Sequence, residues 1–405
     1  MRPFDGRRIL LGVTGGIASY KSVTLARLLT QAGSEVDVVM TRAAQEFVGA
    51  ITFEAVTGRR SYSEIFGAGN TLDHIKLARD AAVFVVAPAT ADFLARAAHG
   101  HADDLLTACL LANSSPVLLV PAMNDRMWAN AQTANNVEHL RELGYSVLDP
   151  DTGPLAAGEG DGPGRMPEPD AILGSISRML DSGGRLAGRK VLVTAGATRE
   201  PIDPVRFISN HSSGRMGVAI AEAAHRRGAD VSLIAGYMDV RVAAGPQVHR
   251  VTTTSDMLNA VVDAISSADV LVMAAAPSDF RPLLQAPNKI KKSTTGGREA
   301  TSIALTHTED ILEATLQDRM PGAVVVGFAL ETENLIENGQ SKLEQKNLDM
   351  IVVNSAVEAG SGFGSDTNRV TLLTRGAQRE DLPLMRKTEL ADVILDRVEA
   401  LLDGR

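Results

Sequence analysis

Residues 8–16 read Arg8-Ile9-Leu10-Leu11-Gly12-Val13-Thr14-Gly15-Gly16, and residues 190–196 read Lys190-Val191-Leu192-Val193-Thr194-Ala195-Gly196. Each is a short apolar run that reaches a threonine and then a glycine turn, the pattern of a buried strand delivered into a tight bend. The first is followed by helical spacing through Leu25, Leu28 and Leu29 and by a second apolar run, Val36 to Met40. The second is followed by a long insertion, helical spacing from Gly217 to Arg227 and a run from Val231 to Ile234. Further apolar runs at 82–87, 117–120, 270–275, 323–328 and 350–354 alternate with helical segments. Such alternation predicts parallel sheets with helices on both faces, so the chain reads as α/β with two doubly wound domains.

The bulk properties agree with that division. A chain of 405 residues exceeds what one hydrophobic core serves. Asp181 to Arg189 (DSGGRLAGR) is glycine-rich and precedes the second strand start, which places a linker at 181–189 between domains at 1–180 and 190–405. Apolar residues are 44% and charged residues 22%, a globular balance, and with aromatics at 4% the packing falls to alanine, valine and leucine. A net charge of −9 argues against nucleic acid or an anionic membrane as the main partner. The single cysteine, Cys109, excludes an internal disulfide and a thiolate metal cluster, as expected of a cytoplasmic protein. Arg2, Arg7 and Arg8 make the start basic, but the apolar run after them is too short for a signal peptide or membrane span.

In the first half, Gly12-x-x-Gly15-Gly16 lacks the GxGxxG spacing of dinucleotide sites. The turn leads into Ile17-Ala18-Ser19, which opens a helix whose free amides suit a phosphate monoester, as in FMN, better than a pyrophosphate; a plain turn explains the glycines equally well. Thr41 ends the second strand, and Ala87-Pro88-Ala89-Thr90-Ala91-Asp92 ends another, both at carboxyl ends where open α/β sheets bind ligands. His74 lies in a helical stretch before a strand, where a histidine is ordinarily a surface or core group. Pro121-Ala122-Met123-Asn124 puts an amide at a further strand end, able to bond a carboxylate without charge repulsion. Cys109 sits in the helical run Asp104 to Leu111 and reads as a small buried apolar residue.

Gly15-Gly16-Ile17-Ala18, His74-Ile75-x-Leu77, Ala87 to Asp92, Pro121 to Asn124 and Gly162-Pro163-Gly164-Arg165-Met166 resemble, in that order, the flavin-containing cysteine decarboxylases acting on 4'-phosphopantothenoylcysteine. The resemblance implies a flavoprotein domain with FMN held by Gly15, Gly16, Ile17, Ala18, Thr41 and Thr90. FMN oxidises the substrate thiol to a thioaldehyde, carbon dioxide leaves, and reduced FMN returns the hydride. It further implies His74 as base or orienting group, Asn124 and Arg165 as substrate-binding residues, and a trimer with FMN between subunits. One departure stands out: the family has a cysteine shortly before GPGRM that protonates the ene-thiolate. Here Leu155 to Pro163 reads LAAGEGDGP, with Ala157 or Gly158 at that place depending on the end from which it is aligned. Glu159, Asp161 or water are the candidate proton donors, carried on a glycine-rich flap.

In the second half, Thr194 to Gly217 (TAGATREPIDPVRFISNHSSGRMG) is too polar for a casual loop. Capping explains Ser209-Asn210 and Ser212-Ser213-Gly214 before a helix; it leaves Arg206 and Arg215 as candidates for holding phosphate or carboxylate. Ala274-Ala275-Ala276-Pro277-Ser278-Asp279 closes a strand, a short distance before Asn288-Lys289-Ile290-Lys291-Lys292. A carboxylate and lysines so spaced can hold Mg²⁺ and a polyphosphate, although a lysine run is more often a solvated face. Gly327 to Thr332 (GFALET) offers base or ribose contacts, and Lys342 and Lys346 share a helix face by their spacing, as surface lysines also do.

These segments, with PNKIKK and KLEQKNLDMIVVN, resemble in order the bacterial type of phosphopantothenate–cysteine ligase. The resemblance implies a Rossmann-like ligase domain in which CTP activates the phosphopantothenate carboxylate as an acyl-CMP before cysteine's amine displaces CMP. It implies Lys289 for charge developing during activation and Asn210 for the acyl intermediate. It also implies Arg206 for substrate, Ala274, Ala275, Asp279, Lys289, Phe328, Lys342 and Lys346 at the CTP site, and Asp279 on magnesium. Trimeric and dimeric contacts together would give a dodecamer. Two alternatives remain at this point: a ligase alone on an impaired decarboxylase scaffold, following from the missing cysteine, and a non-catalytic binding module. A nicotinamide dehydrogenase is opposed by the glycine spacing.

Overall fold

The computed structural model describes residues 3–65, 72–154, 161–181, 183–243, 245–290, 302–331, 333–355, 364–376 and 378–404. The chain divides into two compact units, Met1–Ser182 and Gly183–Arg405.

In the first unit six parallel strands form one sheet: β1 (Arg8–Val13), β2 (Glu35–Met40), β3 (Ser61–Tyr62), β4 (Val83–Ala89), β5 (Val117–Pro121) and β6 (Ser146–Val147). Their order is β3-β2-β1-β4-β5-β6. The strands read as unbroken apolar runs because both faces are covered. Ile9, Leu11, Val83 and Val85 pack with Leu25, Leu29, Ile172 and Ile176 on one face, while Leu10, Phe84 and Val86 pack with Phe93, Leu94, Leu106 and Leu140 on the other. Cys109, fully buried in the second of these cores, has its thiol pushed up to about 12 by burial. A hairpin of β7 (Asp151–Pro154) and β8 (Asp161–Arg165) stands beside the sheet.

The second unit repeats the plan. Its strands are β9 (Lys190–Ala195), β10 (Arg199–Pro201), β11 (Phe207–Ser209), β12 (Asp230–Ala235), β13 (Gln247–Arg250), β14 (Val270–Met273), β15 (Phe280–Pro282), β16 (Leu305–His307), β17 (Val324–Glu331), β18 (Met350–Ser355), β19 (Thr367–Asn368), β20 (Thr371–Thr374), β21 (Gln378–Asp381) and β22 (Met385–Arg386). The main sheet runs β13-β12-β9-β14-β17-β18-β20-β21, parallel as far as β18 and antiparallel at its last two strands. Those two closing strands are four residues each, and the second, Gln378–Asp381, is wholly polar, so they do not stand out in the sequence. Helices Arg215–Arg226 and Lys387–Asp403 cover one face, and Thr254–Ile265 and Leu335–Gln345 the other. Gly217 lets the first helix close on its strand, since a Cβ there would lie 2.6 Å from the Cβ of Ala195.

In both sheets the winding reverses beside the first strand, between β1 and β4 and between β9 and β14. Open α/β sheets bind ligands at the carboxyl ends of strands at such a reversal. The two units place a threonine hydroxyl there alike. Thr14 Oγ1 accepts from the Thr90 amide (3.1 Å) and donates to the Pro88 carbonyl (2.7 Å), while Thr194 Oγ1 accepts from the Ala275 amide (3.1 Å). Among the described residues no helix is long and apolar enough to cross a membrane.

Candidate active sites

At the first reversal a cavity of about 480 Å³ is lined by Gly15, Gly16, Ile17, Ala18, Thr90, Asn124 and Arg165, with Met123, Met127 and Met166 as apolar wall. Gly15 is required by close approach: a Cβ there would stand 2.4 Å from the Cβ of Ala43 and 2.8 Å from its carbonyl carbon. The helix Ser19–Gln31 opens with no side-chain cap and no acid in its first turn, an end whose dipole favours an anion, while its Ser19 and Lys21 amides donate to the Gly16 and Ala18 carbonyls (3.0 and 2.9 Å). Asn124 caps the next short helix by accepting from the Arg126 amide (2.9 Å), so its carbonyl oxygen is committed and its NH₂ is the end left to donate. Arg165 donates to Glu168 (2.7 Å), which also accepts from Lys21 (3.0 Å); Lys21's hydrogen bond to Glu168 and its charge hold that carboxyl below its usual range.

Thr41 does not line this cavity: its hydroxyl accepts from the Ala44 amide (3.2 Å), fixing the turn after β2. His74 does not line it either; it stands half-buried on the helix Asp73–Asp80, with a buried Nδ1 that has no hydrogen-bond partner. Asp161 is exposed at the start of β8, and the stretch 155–160 with Glu159 lies outside the described residues. Lys21 is a lining residue absent from the sequence reading. It is 5% exposed, donates to the Met166 carbonyl (2.7 Å), and could have been found as a lysine on a helix face between the buried Ser19 and Ser22.

At the second reversal a cavity of about 530 Å³ is lined by Asn210, Arg215, Ala274, Ala275, Asp279, Phe328 and Lys342, among others. The insertion between β9 and its helix folds as the β10–β11 hairpin, and Arg199 at its start lies between the rings of Phe207 (4.3 Å) and Tyr237 (3.4 Å). Asn210 follows the hairpin and donates to the Pro277 carbonyl (2.8 Å). The buried Thr198 hydroxyl receives the Ser278 amide (2.8 Å), so one threonine fixes the loop that carries Asp279. Lys342 donates to Glu331 (2.7 Å) at the cavity wall.

Three of the sequence candidates lie elsewhere. Arg206 is not a lining residue: its guanidinium is bound to Asp203 and to the Ile290 carbonyl (2.9 Å), so that fork is already filled. Asp203 is buried, and Arg206 together with the amides of Val205, Ile290 and Arg206 holds its carboxyl well below the usual carboxylate range. Lys346, just past its helix, pairs with Asp310. Lys289 is exposed outside the cavity on a segment tied to the 202–206 turn through Ala286 and Ile290; Lys291, Lys292 and Thr332 lie outside the described residues. The sequence reading missed Asn354, Asn368 and Lys387, all of which line the cavity. Asn368 and Lys387 belong to no quoted motif, and Asn354, the last residue of KLEQKNLDMIVVN, reads there as a strand end rather than a site residue; only the fold brings the three together.

Two doubly wound units, each with a polar-edged cavity at its own winding reversal and an uncapped helix start facing it, define a two-site α/β enzyme of the nucleotide- and flavin-binding kind. Residues 2–181 match the Flavoprotein family, and residues 186–402 match the DNA/pantothenate metabolism flavoprotein C-terminal domain. The chain is 44% identical to the coenzyme A biosynthesis bifunctional protein CoaBC of Mycobacterium tuberculosis (strain ATCC 25618 / H37Rv), over 98% of this chain and 97% of that one. It is 43% identical to the protein of the same name from Mycolicibacterium smegmatis, over 98% and 99%. A crystal structure of the C-terminal domain of a CoaBC protein aligns with 55% of this chain and 99% of its own, at 35% identity and a TM-score of 0.45. The chain belongs to the family of coenzyme A biosynthesis bifunctional proteins, and its first unit is a flavoprotein domain.

Proposed function

We propose that the second cavity joins cysteine to 4'-phosphopantothenate with CTP, and that the first decarboxylates the resulting 4'-phosphopantothenoylcysteine to 4'-phosphopantetheine. The observation that carries this reading is one chain holding two separately built cavities, each at its own winding reversal, within a kinship that runs the length of both units.

In the ligase half, the substrate carboxylate oxygen attacks the α-phosphorus of CTP, pyrophosphate leaves, and cysteine's amine then attacks the acyl carbon of the mixed anhydride as CMP departs. Asn210, fixed on the Pro277 carbonyl, orients the acyl group; Phe328 and Lys342 border the nucleotide. Among the described residues no cluster of three His, Cys, Asp or Glu side chains stands ready to hold a metal. Magnesium commonly takes only one or two carboxylates plus substrate phosphates, which fits Asp279 beside a bound triphosphate.

In the decarboxylase half, the uncapped helix start at Gly16–Ser19 suits the phosphate of FMN, and the methionine wall suits its ring. FMN, when bound, supplies the two-electron chemistry at the substrate's sulfur-bearing carbon. The NH₂ of Asn124 donates to the carboxylate that is lost, and Arg165 borders the substrate. Asp161, Glu159 or water returns the proton; slower release of 4'-phosphopantetheine on alanine replacement singles out either acid, and no change leaves water.

His74 and Lys289 stand outside the cavities of their own units, which supports their delivery to a neighbouring copy's site. Leu72 (58% exposed) and Ile75 flank His74, while Leu283 and Leu284 (85% exposed) lie near Lys289 in the chain. Apolar groups so placed fit subunit contacts, trimeric in the first unit and dimeric in the second, closing as a dodecamer.

The test is mass spectrometry of products formed from phosphopantothenate, cysteine, CTP and Mg²⁺ by the flavin-loaded protein. Formation of 4'-phosphopantetheine is expected. Accumulation of 4'-phosphopantothenoylcysteine would mean a ligase alone, and an oxidised ene-thiol would locate a fault in reprotonation.

A further inference from the structure

The second cavity contains a cation that this reading leaves idle. Lys387 is 7% exposed, lines the cavity, and occupies the first position of the helix Lys387–Asp403. Arg215, also lining the cavity, occupies the first position of the helix Arg215–Arg226. Both cations therefore stand at the end of a helix whose dipole favours anions, although Glu389 in the first turn of the Lys387 helix offsets part of that there. Both line the one cavity, close enough for the Arg215 charge to act on Lys387. Burial, and then the Arg215 guanidinium, pull the Lys387 ammonium below the usual lysine range, against the opposing pull of Asp366 and Asp239.

The placement is built rather than incidental. The β19–β22 pair sets Thr367 opposite Arg386, and the Lys387 amide donates to the Asp366 carbonyl (2.9 Å). The same pair carries Asn368, 4% exposed, into the cavity wall. Asp366 in turn binds Arg215, whose Nε lies 3.8 Å from Asp239. A lysine and an arginine lining one cavity at two helix starts suit a polyanion, whose oxygens would add charge-assisted hydrogen bonds to those that Asp366 and Asp239 supply.

We infer that Lys387, with Arg215, binds the outer phosphates of the nucleoside triphosphate and holds pyrophosphate as it leaves. The inference rests on the second cavity being the nucleotide site. The α-phosphorus belongs beside the acyl group, which Asn210 keeps near the Pro277 carbonyl, so the cations at the two helix starts are left for the outer phosphates. As the carboxylate oxygen bonds to the α-phosphorus, the bond from that phosphorus to the bridging oxygen breaks and its electron pair passes to pyrophosphate. The ammonium and guanidinium stabilise that charge, and no proton need move between them.

Calorimetric titration of the full-length, flavin-loaded protein with CTP, inorganic pyrophosphate and CMP tests this in the wild type, Lys387→Met and Lys387→Arg. Lys387→Met should weaken CTP and pyrophosphate by at least about tenfold, the scale of one charge-assisted hydrogen bond. CMP affinity and the KM for phosphopantothenate should stay within about twofold, which a general loss of fold would not spare. Lys387→Arg should recover most of the CTP affinity, and this second variant serves where the methionine variant melts early. Equal weakening of CTP, pyrophosphate and CMP in both variants, or no weakening in either, overturns the inference. A wild type that binds neither CTP nor pyrophosphate overturns the nucleotide reading first, and this inference with it.

Discussion

Replacing Thr14 by valine exchanges a hydroxyl for a methyl group at the winding reversal of the flavoprotein unit, with almost no change of shape. Thr14 is 2% exposed, so water cannot take over its bonds to the Pro88 carbonyl and the Thr90 amide. Each buried polar group left without a partner costs roughly 1–3 kcal/mol, and because Thr90 is only half-buried the pair should cost about 2–4 kcal/mol. For a unit of this size that is a fall of roughly 5–15 °C in melting temperature. Release of flavin fluorescence on heating reports the first unit alone, which makes the assay selective. Thr194→Val is the internal comparison: it orphans the Ala275 amide but otherwise gives up only a 3.6 Å contact to the Met273 sulfur. It should cost about 1–2 kcal/mol and leave flavin release where it was. Thr14→Val protein that releases flavin within about 1 °C of the wild type would refute the claim that this hydroxyl holds the two strands at the site.

Gly15→Ala places its methyl group against the Ala43 backbone, which cannot yield as a side-chain tip can, so the protein should purify without its visible flavin band while ligation continues. Cys109, buried with its thiol pushed up to about 12, should resist thiol reagents in the folded protein and react in denaturant; Cys109→Ala should keep decarboxylation within about twofold. Asp203 has a folded pKa lowered chiefly by Arg206, so its stabilisation is complete above the unfolded value of about 4 and is lost only as pH falls below that, through the folded value. Hydrogen exchange at the Ile290 amide should therefore stay slow down to mildly acidic pH. In Asp203→Asn it should be fast at every pH, with ligation reduced at least about tenfold and decarboxylation unchanged.

The layers of the fold were legible because buried parallel strands must be apolar along their whole length, as Leu10, Leu11 and Val13 are, and because covering helices keep a spacing of their own. The residues after strand ends were legible for a related reason: Gly15, Asn124 and Asp279 lie within a few residues of the end of an apolar run, while Asn210 stood out in a segment too polar for a casual loop. What stayed hidden is contributed across the sequence. Lys387 reaches the cavity through the β19–β22 pair, and Asn354 reaches it from the end of β18. Arg206 carried the opposite ambiguity, since an arginine near a proposed substrate site and an arginine neutralising a buried aspartate have the same local sequence; only Asp203's burial separates them.

The two units share a strand order and a threonine at the reversal, yet they present different chemistry, and the difference begins in the segment between first strand and first helix. In the flavoprotein unit Gly15 and Gly16 pass almost at once into the helix at Ser19, so the helix start itself forms the cavity wall. In the second unit the chain from Gly196 to Arg215 is inserted at that place, and it folds as the β10–β11 hairpin with Arg199 pinned between two aromatic rings. The hairpin delivers Asn210 to the cavity edge while the helix start remains available below it. A single uncapped helix suits one phosphate group; adding the hairpin provides a separate place for an acyl group beside the nucleotide. That separation is what a ligase requires, because activation joins the carboxylate oxygen to the α-phosphorus and the amine then attacks the adjacent acyl carbon, while the charged leaving groups must be held away from it.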